Sequence, residues 1–302
     1  MPIPPGTTEP EGTWTIPQPG ELGPADVLAA GVALWARHWR LLALLSLLLY
    51  GSVLIVQALL EPGPNLRELI EWFREGAPEP IPQASPRAQA LGTLGGLILS
   101  PILLLATLRI LLGGTVGSVP GPSRAIGYGL RRLPSTLWLL VAIVITGVGI
   151  FLGAGVVGLI LAAGPDLLAI AAIALVVYPV VRLAVAVPTL VVDDTRGFKA
   201  LGRAWELTRG RWWHTFSVLL VFGLIASVAG LLMLVLPALG PSGTAGDLAQ
   251  AIMTAVIGAF TGPLGAGILA VLYLDLRARH HRDGAGAVRE LIERHDPPSA
   301  QM

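Results

Sequence analysis

The chain has 302 residues, of which 54% are hydrophobic and only 13% are charged. Soluble domains carry about 25% charged residues, so this composition excludes an ordinary water-soluble protein and indicates a membrane protein. The 20 basic and 19 acidic residues nearly cancel, which argues against a nucleic-acid-binding protein. The absence of cysteine excludes disulfides, thiol nucleophiles and cysteine–metal sites.

The two ends of the chain differ in composition from its middle. Residues 1–24 are rich in Pro, Gly and Thr and lack the basic start and apolar core of a signal peptide. Because so little apolar surface cannot offset the entropy of ordering, we predict a disordered cytoplasmic arm there. Residues 25–280 are predicted to form one membrane domain, and residues 281–302 a cytoplasmic tail with a short polar helix.

Six apolar runs are each long enough to cross a bilayer as a helix of about 20 residues. They lie at approximately 41–60, 90–112, 137–162, 167–192, 216–239 and 250–274. We therefore predict an all-α bundle of six transmembrane helices. No Asp or Glu falls in these runs, and small residues four apart, such as Gly223 and Ser227 or Gly258 and Gly262, predict close helix contacts.

Three of these runs follow a segment with the periodicity of an amphipathic helix. The predicted apolar faces are Leu28, Val32, Trp35 and Trp39 in the first segment, Ile126, Leu130 and Leu133 in the second, and Phe198, Leu201, Trp205 and Trp212 in the third. In the second segment, Arg124, Arg131 and Arg132 lie off that face. We expect all three helices on the cytoplasmic face, with Trp35, Trp39, Trp205, Trp212 and Trp213 as anchors at the membrane interface.

The sequence also contains an internal repeat. Each unit consists of an amphipathic helix, a transmembrane run that leaves the cytoplasmic face and a second run that returns to it. The units begin near Asp26, Ser123 and Gly197, and their glycines at 31, 127 and 202 can be aligned. Each returning run contains a proline, namely Pro101, Pro179 and Pro263. The pattern predicts a threefold helix-hairpin repeat, which either reflects internal duplication or is simply a set of three hairpins.

The distribution of basic residues predicts the orientation. Of the 20 basic residues, 16 lie in or beside the arm, the connections 113–136 and 193–213, and the tail; three lie in the opposite loops, and Arg182 is the remaining one. The positive-inside rule therefore puts both termini in the cytoplasm. Arginine supplies 19 of the basic residues, and with 37 glycines this favours a GC-rich bacterium. We expect a multi-pass protein of the bacterial inner membrane.

Arg182 is the one basic residue inside an apolar run. A charge within a span costs roughly 2.5–3.5 kcal/mol on insertion scales, so it normally has a partner or a purpose. One interpretation is that Arg182 snorkels to the cytoplasmic face or pairs with Asp193, Asp194 or Glu206. The other is an anion site for a lipid phosphate. In that case the lipid contacts would be Arg182, Lys199, Arg203, Arg209 and Arg211.

The segment from Arg182 to Trp212 resembles the signature of the bacterial glycerophosphoryl diester phosphodiesterase membrane-domain family. The matching positions are Arg182, Pro188, Asp193, Asp194, Gly197, Ala200, Leu201, Arg203, Ala204, Trp205, Leu207, Gly210 and Trp212. The run from Leu272 to Arg279, LYLDLRAR, is similar to the end of that family's last span, and Ile16-Pro17 to its start. The resemblance implies an integral membrane domain linked to lipids or the envelope. The family's catalytic barrel is expected to be absent, so no phosphodiesterase activity is carried over.

We therefore expect a non-catalytic membrane module that binds lipid or a partner protein at the inner-leaflet interface. The alternative is a transporter or permease for a lipid or small solute, working through the proline-containing helices. No catalytic residue, cofactor or metal site is expected. The expected partners are anionic membrane lipids and either a protein partner or a second copy of the chain, with no nucleic acid.

Overall fold

The computed structural model describes residues 22–51, 86–160, 177–193, 195, 197–238, 244–281 and 288–291. Within these ranges the regular secondary structure is entirely helical, which confirms the predicted all-α class. Five helical segments are long and apolar enough to cross a membrane, namely Pro24–Leu49, Thr93–Thr115, Pro122–Thr146, Trp212–Leu232 and Ile252–His280. The predicted fourth crossing falls partly on residues 161–176, outside the described residues, so the count of six spans stays a prediction.

The described helices are numbered here in chain order. They are α1 (Pro24–Ser46), α2 (Pro86–Thr115), α3 (Pro122–Ile160), α4 (Ala186–Val192), α5 (Phe198–Leu207), α6 (Trp212–Ala238) and α7 (Thr244–His281). A π-helical turn, Leu47–Gly51, extends α1. Helical residues 177–183 precede α4 and are separated from it by a turn at residues 184–185.

Two of the three predicted amphipathic helices are not separate elements. The first is continuous with the apolar run that follows it in α1, and the second continues through Pro134 into the apolar part of α3. The third is a separate helix, α5, because Gly197 begins it in a left-handed conformation (φ 51°) and a turn around Gly210 (φ 76°) ends the segment before α6. Glycine tolerates such positive φ values without a steric penalty.

The buried faces of these segments are largely distinct from the predicted apolar faces, which were assigned to the membrane interface. In α1 the buried residues are Val27, Ala30, Gly31 and Leu34, whereas Val32 and Trp39 are exposed. In α3, Ala125, Tyr128, Gly129 and Arg132 are buried and Leu130 is exposed, so Arg132, predicted to lie off the apolar face, lies on the buried one. In α5, Ala200, Leu201, Ala204 and Leu207 are buried, and Phe198 and Trp205 are exposed.

The physical reason for this difference is that close helix packing favours small residues, while large apolar side chains can face lipid. A bilayer is as apolar as a leucine side chain, so burial of large residues does not by itself drive helix association there. Each of the three segments buries some small residues, such as Ala30, Ala125 and Ala200, and exposes some large apolar ones, such as Val32, Leu130 and Phe198. The outward apolar faces of α1, α3 and α5 are therefore suited to contact with the membrane.

The helices α1 and α7 cross in close contact. A methyl group added at Gly31 would lie 2.7 Å from the Cα atom of Ile268, and one added at Gly267 would lie 3.0 Å from the carbonyl oxygen of Gly31. In contrast, Gly127 and Gly202 have no atom within 4 Å of such a position. The aligned glycines therefore do not occupy equivalent packing positions. In α3 the glycine at a close helix contact is Gly129, beside the Ile102 carbonyl, and not Gly127.

The described residues nearest to each end of the chain are packed against the body of the protein. Leu22, within the predicted arm, is buried, so the arm is anchored two residues before α1 begins. Residues 1–21 lie outside the described residues. The tail contributes a helical turn at 288–291, where Val288 and Leu291 belong to the buried core. That part of the predicted tail helix is packed rather than fully solvated.

The helix α6 is the most exposed of the five apolar helices. Leu224, Val228 and Leu231 are all largely exposed, as are Gly223 and Ser227. The predicted close contact at this small-residue pair is therefore not made within the described part of the chain. An apolar face of this kind requires lipid or another protein as its neighbour.

Candidate functional site

Arg182 is buried, with 8% of its surface exposed. Its guanidinium donates one hydrogen bond to the Tyr178 hydroxyl (2.6 Å) and one to the Trp205 carbonyl (3.2 Å). The guanidinium carbon also lies 4.9 Å from the ring centre of Tyr178 and 4.5 Å from that of Trp205. Cation–π contacts of this kind strengthen as the cation loses water. Arg182 thus fastens α5 to the helical residues that precede α4.

Further aromatic side chains extend this contact into an aromatic cluster of Tyr178, Trp205, Trp212, Trp213 and Phe216. Trp212 stacks on Phe216 with ring centres 4.9 Å apart, and its indole N–H donates to the Tyr178 carbonyl at 3.3 Å. Trp213 is 73% exposed, as expected of an anchor with its ring in lipid or headgroups. The structure therefore brings four of the sequence-selected residues together: Arg182, Trp205, Trp212 and Trp213.

The predicted ion pairs of Arg182 are not the ones observed. Asp193 bonds Arg277 and lies 3.7 Å from Arg203, and Glu206 bonds Arg203 at 3.1 Å. Asp194 lies outside the described residues. The guanidinium Nε of Arg182 is buried without a hydrogen-bond partner among the described residues. Among the described residues, aromatic rings and neutral oxygens hold this cation.

The remaining sequence-selected cations lie on the outside of the same region. Lys199, Arg209 and Arg211 are exposed, and within the described part of the chain none of them forms an ion pair. Arg203 is half-buried and is the exception, because it neutralises Asp193 and Glu206. We call Lys199, Arg209 and Arg211, with the exposed rings of Phe198, Trp205 and Trp213, the α5 surface. It combines net positive charge with exposed apolar rings.

Local packing keeps the rings of the α5 surface in place. Phe198 meets Trp138 of α3 edge-on, with ring centres 6.4 Å apart. Trp138 also covers Gly197, where an added methyl group would lie 2.3 Å from the indole. Any side chain at position 197 would therefore meet both a steric clash and an unfavourable φ. This glycine allows the chain to turn into α5 directly beneath the Trp138 ring.

Behind the α5 surface, two carboxylates organise ion networks that the sequence did not reveal. In the Asp193 network, Asp193 accepts from Arg277 and from the Tyr273 hydroxyl (3.1 Å), and Arg277 also donates to that hydroxyl (2.7 Å). Tyr273 and Arg277 are four apart in α7, a spacing that puts them on one face of the helix. The network joins α7 to the residues between α4 and α5.

The Asp275 network joins α7 to the start of the described chain. Asp275 is fully buried; it accepts from the Leu22 backbone N–H (3.3 Å) and from Arg279 (2.9 Å), and His214 lies 3.4 Å away. Arg279 in turn donates to the Leu22 carbonyl at 2.7 Å. Asp275 lies within the apolar segment Ile252–His280, so the prediction of no acidic residue within a span does not hold at the end of α7.

A third polar contact links α2, α3 and α4. Arg109 and Arg132 lie on the Tyr128 ring, with guanidinium carbons 5.6 and 5.8 Å from its centre, and the Tyr128 hydroxyl donates to the Val191 carbonyl at 3.3 Å. The predicted anchors Trp35 and Trp39 lie elsewhere. Both rings contact Phe260 of α7, so they are separate from the aromatic cluster.

The residue spacing in one segment of the sequence indicates part of both ion networks, although amino-acid composition does not. LYLDLRAR alternates polar and apolar residues, but read on a helix it places Tyr273 with Arg277 and Asp275 with Arg279 at i,i+4 spacing. The distant partners Leu22, Asp193 and His214 are set by the tertiary fold. They could not be found from spacing.

Comparison with known proteins adds a family and no activity. No curated protein and no solved structure matches the chain. One family model, described as "Domain of unknown function (DUF7847)", matches residues 40–276. That range includes α2 to α6, Asp193, Tyr273 and Asp275, and ends one residue before Arg277. Because the match covers well over half of the chain, the protein belongs to the DUF7847 family.

Proposed function

We propose that this protein is a non-catalytic membrane module that binds anionic lipid at the inner-leaflet interface through the α5 surface. The observation that carries the proposal is the joint exposure of cations and aromatic rings along α5 and the turn after it. Basic, tryptophan-rich amphipathic helices lie among lipid headgroups, where the indoles are half-hydrated and the cations meet anionic lipid. The expectation of a protein partner rests instead on the exposed apolar face of α6 at Leu224, Val228 and Leu231, which carries no exposed cation.

The proposal includes the finer topology predicted from the sequence. Six spans, a threefold helix-hairpin repeat and cytoplasmic termini would put the α5 surface, the aromatic cluster and both ion networks at the cytoplasmic end of the bundle. The distribution of basic residues supports this orientation. The resemblance to the glycerophosphoryl diester phosphodiesterase membrane-domain family adds a general link to lipids and stays a prediction.

In this proposal Arg182 has a different task from the exposed cations. Its guanidinium lies between two rings and donates to the Trp205 carbonyl, so it holds α5 in the orientation that exposes Trp205. Lys199, Arg209 and Arg211 then provide the charge that attracts lipid phosphate. They extend over roughly 15 Å, because Lys199 and Arg209 lie ten residues apart along a largely helical segment at 1.5 Å per residue. That length fits more than one headgroup.

The direct test neutralises this charge. The triple variant Lys199→Gln, Arg209→Gln, Arg211→Gln should bind short-chain phosphatidylglycerol more weakly, with a loss of about fivefold per cation, since each basic residue near an anionic surface contributes about 1 kcal/mol. Affinity is measured by calorimetric titration of the purified protein in mild detergent, with phosphatidylcholine as the neutral comparison. The wild-type preference for phosphatidylglycerol should also weaken as salt is raised.

The matched control exchanges the same three residues without changing their charge. Lys199→Arg, Arg209→Lys, Arg211→Lys should keep the wild-type preference, because headgroup attraction at an exposed surface depends on net charge. If the neutral triple variant binds phosphatidylglycerol as tightly as the wild type, the α5 surface is not a lipid site.

Arg182 provides a second, separable prediction. Arg182→Ala should lower the free energy of unfolding by roughly 1–2 kcal/mol, because two cation–π contacts are lost, and should weaken phosphatidylglycerol binding as α5 loosens. Arg182→Lys, which keeps the charge and a ring contact, should recover most of both. Unfolding is followed by titration with a denaturing detergent. Wild-type stability and binding in Arg182→Ala would contradict this positioning role.

The alternative of a transporter has one structural observation in its favour. Pro101 and Pro263 lie inside α2 and α7, and residues 184–185 interrupt the helical stretch that includes Pro179. Interrupted helices recur at the substrate sites of transporters. Flux of a defined solute into proteoliposomes, lost in Pro263→Ala, would favour this alternative over a binding module.

A further inference from the structure

A cavity of about 270 Å³ lies between α1, α2 and α7, away from the α5 surface. Its wall is formed by small, hydroxyl-bearing and apolar residues and has no charged group: Ser46, Ser100, Leu103, Leu104, Thr107, Gly258, Gly262, Pro263 and Ala266. For scale, an apolar protein cavity of roughly 150 Å³ is large enough to hold benzene. The cavity can therefore accept part of an apolar molecule.

Helix geometry is irregular on all three sides of this cavity. The α-helix α1 becomes π-helical directly after Ser46, Pro101 of α2 follows Ser100, and Pro263 of α7 lies in the wall itself. A proline removes one backbone hydrogen bond, and π-helical turns are frequent at functional sites. Such breaks separate neighbouring helices locally, which accounts for the open space.

Two hydroxyl groups of the wall lack the partner that similar groups have elsewhere in the protein. Ser46 and Thr107 are 2% and 1% exposed, and neither hydroxyl oxygen has a hydrogen-bond partner among the described residues. The helical residues Thr146, Thr189 and Thr261 donate to the carbonyl four residues earlier, whereas the buried hydroxyl of Thr215 in α6, outside the cavity, also lacks a partner among the described residues. A buried hydroxyl without an acceptor is unfavourable, so an acceptor on a ligand would stabilise both groups.

The opening of the cavity lies within helical segments that are long and apolar enough to cross a membrane. Its exposed lining residues, Ser100 and Gly262, mark the opening, and the exposed side chains nearby on α2 and α7 include Leu97 and Val256. Ser46 lies six residues beyond Arg40, about 9 Å along the helix, within the roughly 15 Å of one hydrocarbon leaflet. A ligand therefore enters from the membrane, and the part that occupies the cavity carries no charge.

We propose that this cavity is a lateral binding site for an uncharged glycerolipid of the diacylglycerol type. One acyl chain fills the space beside Gly258 and Gly262. The Ser46 and Thr107 side chains, whose hydroxyl oxygens are enclosed in the unliganded protein, turn toward the cavity and donate hydrogen bonds to an ester carbonyl. A lipid without a phosphate can sink to this depth, whereas a charged headgroup would have no countercharge in the wall. The site is separate from the α5 surface and does not depend on its charge.

The test uses diacylglycerol with a photoreactive group in one acyl chain, incorporated with the purified protein into vesicles of phosphatidylcholine. Labelling should map to peptides of α2 and α7 and should be competed by unlabelled diacylglycerol. The dialkyl ether analogue, which lacks the carbonyls, should compete less well by about fivefold for each hydrogen bond lost.

Two variants separate occupancy of the cavity from recognition of the carbonyl. Gly262→Leu should reduce labelling at least tenfold, because nothing lies within 4 Å of its Cβ position and leucine would fill the opening. Gly230→Leu on α6, also in open surroundings, is the control and should label like the wild type. Ser46→Ala with Thr107→Val should still be labelled but should lose the preference for ester over ether.

The possible outcomes either support or overturn the site. Labelling of Gly262→Leu at the wild-type level, or equal competition by ester and ether lipids in the wild type, would overturn it. Thermal unfolding of each variant shows that a loss of labelling is not a loss of fold. Neutralising Lys199, Arg209 and Arg211 should leave labelling unchanged, so failure of the α5 proposal and failure of this one are distinguishable.

Discussion

Replacement of Asp275 by alanine is expected to be among the most destabilising single changes in this protein. Asp275 is fully buried and receives hydrogen bonds from Arg279 and the Leu22 backbone. Removing one partner of a buried ion pair leaves the other charge uncompensated, which typically costs 3–5 kcal/mol. Detergent-induced unfolding followed by circular dichroism should show a loss of roughly this size for Asp275→Ala.

Two comparison variants show whether burial is the cause. Asp275→Asn keeps an acceptor for the Leu22 N–H and should fall between alanine and wild type. Glu206→Gln removes an exposed carboxylate that pairs with Arg203 and should change stability by at most about 1 kcal/mol. If Asp275→Ala and Glu206→Gln have equally small effects, the Asp275 network does not hold the start of α1 against α7.

The second large effect is expected at the crossing of α1 and α7. Gly31→Ala should destabilise the protein by about 1–3 kcal/mol, because its Cβ would lie 2.7 Å from the Ile268 backbone and a helix would have to move. Gly127→Ala is the matched control. It lies in a helix with open space at its Cβ position and should stabilise by roughly 0.5–1 kcal/mol, since alanine is the better helix former.

The same substitution is expected to lower the free energy of unfolding at Gly31 and to raise it at Gly127, so the two variants are easily distinguished. Both glycines were aligned as equivalent positions of the predicted repeat, and only one is at a close helix contact. The free energy of unfolding of the two variants is measured side by side with the wild type. A stabilising Gly31→Ala would mean that α1 and α7 do not approach as closely as described.

The fold class was predictable because hydropathy alone encodes it. A long apolar run must satisfy its backbone within a helix when the solvent is lipid, so composition and run length lead directly to membrane helices. The runs containing Pro101, Trp138, Leu224 and Pro263 each correspond to a helix that could cross a membrane. Nothing beyond the order of residues was needed for this step.

The helix faces were not predictable by the same rule. Periodicity placed Leu130 and Phe198 on apolar faces, and both are exposed, while Ala125 and Ala200 form part of the buried faces that periodicity did not identify. The rule assumes that water drives large apolar side chains inward. In a membrane that drive is absent, and close approach of backbones selects the small side chains instead.

The candidate site was predictable only in part. Tryptophans and arginines after Arg182 directed attention to this region, and in the structure Arg182 is in contact with Trp205. Its attachment to aromatic rings rather than to Asp193 could not be foreseen, because Asp193 is engaged by Arg277, more than 80 residues away in the chain. Pairings of that separation depend on how the helices assemble.

The most direct test of the central proposal is native mass spectrometry of the wild-type protein released from its membrane in mild detergent. The proposed function predicts that phosphatidylglycerol or another anionic lipid stays bound in a fixed stoichiometry, and that the neutralised triple variant loses it. A protein that emerges without lipid, or that retains phosphatidylethanolamine as readily as anionic lipid, would contradict the assignment of the α5 surface.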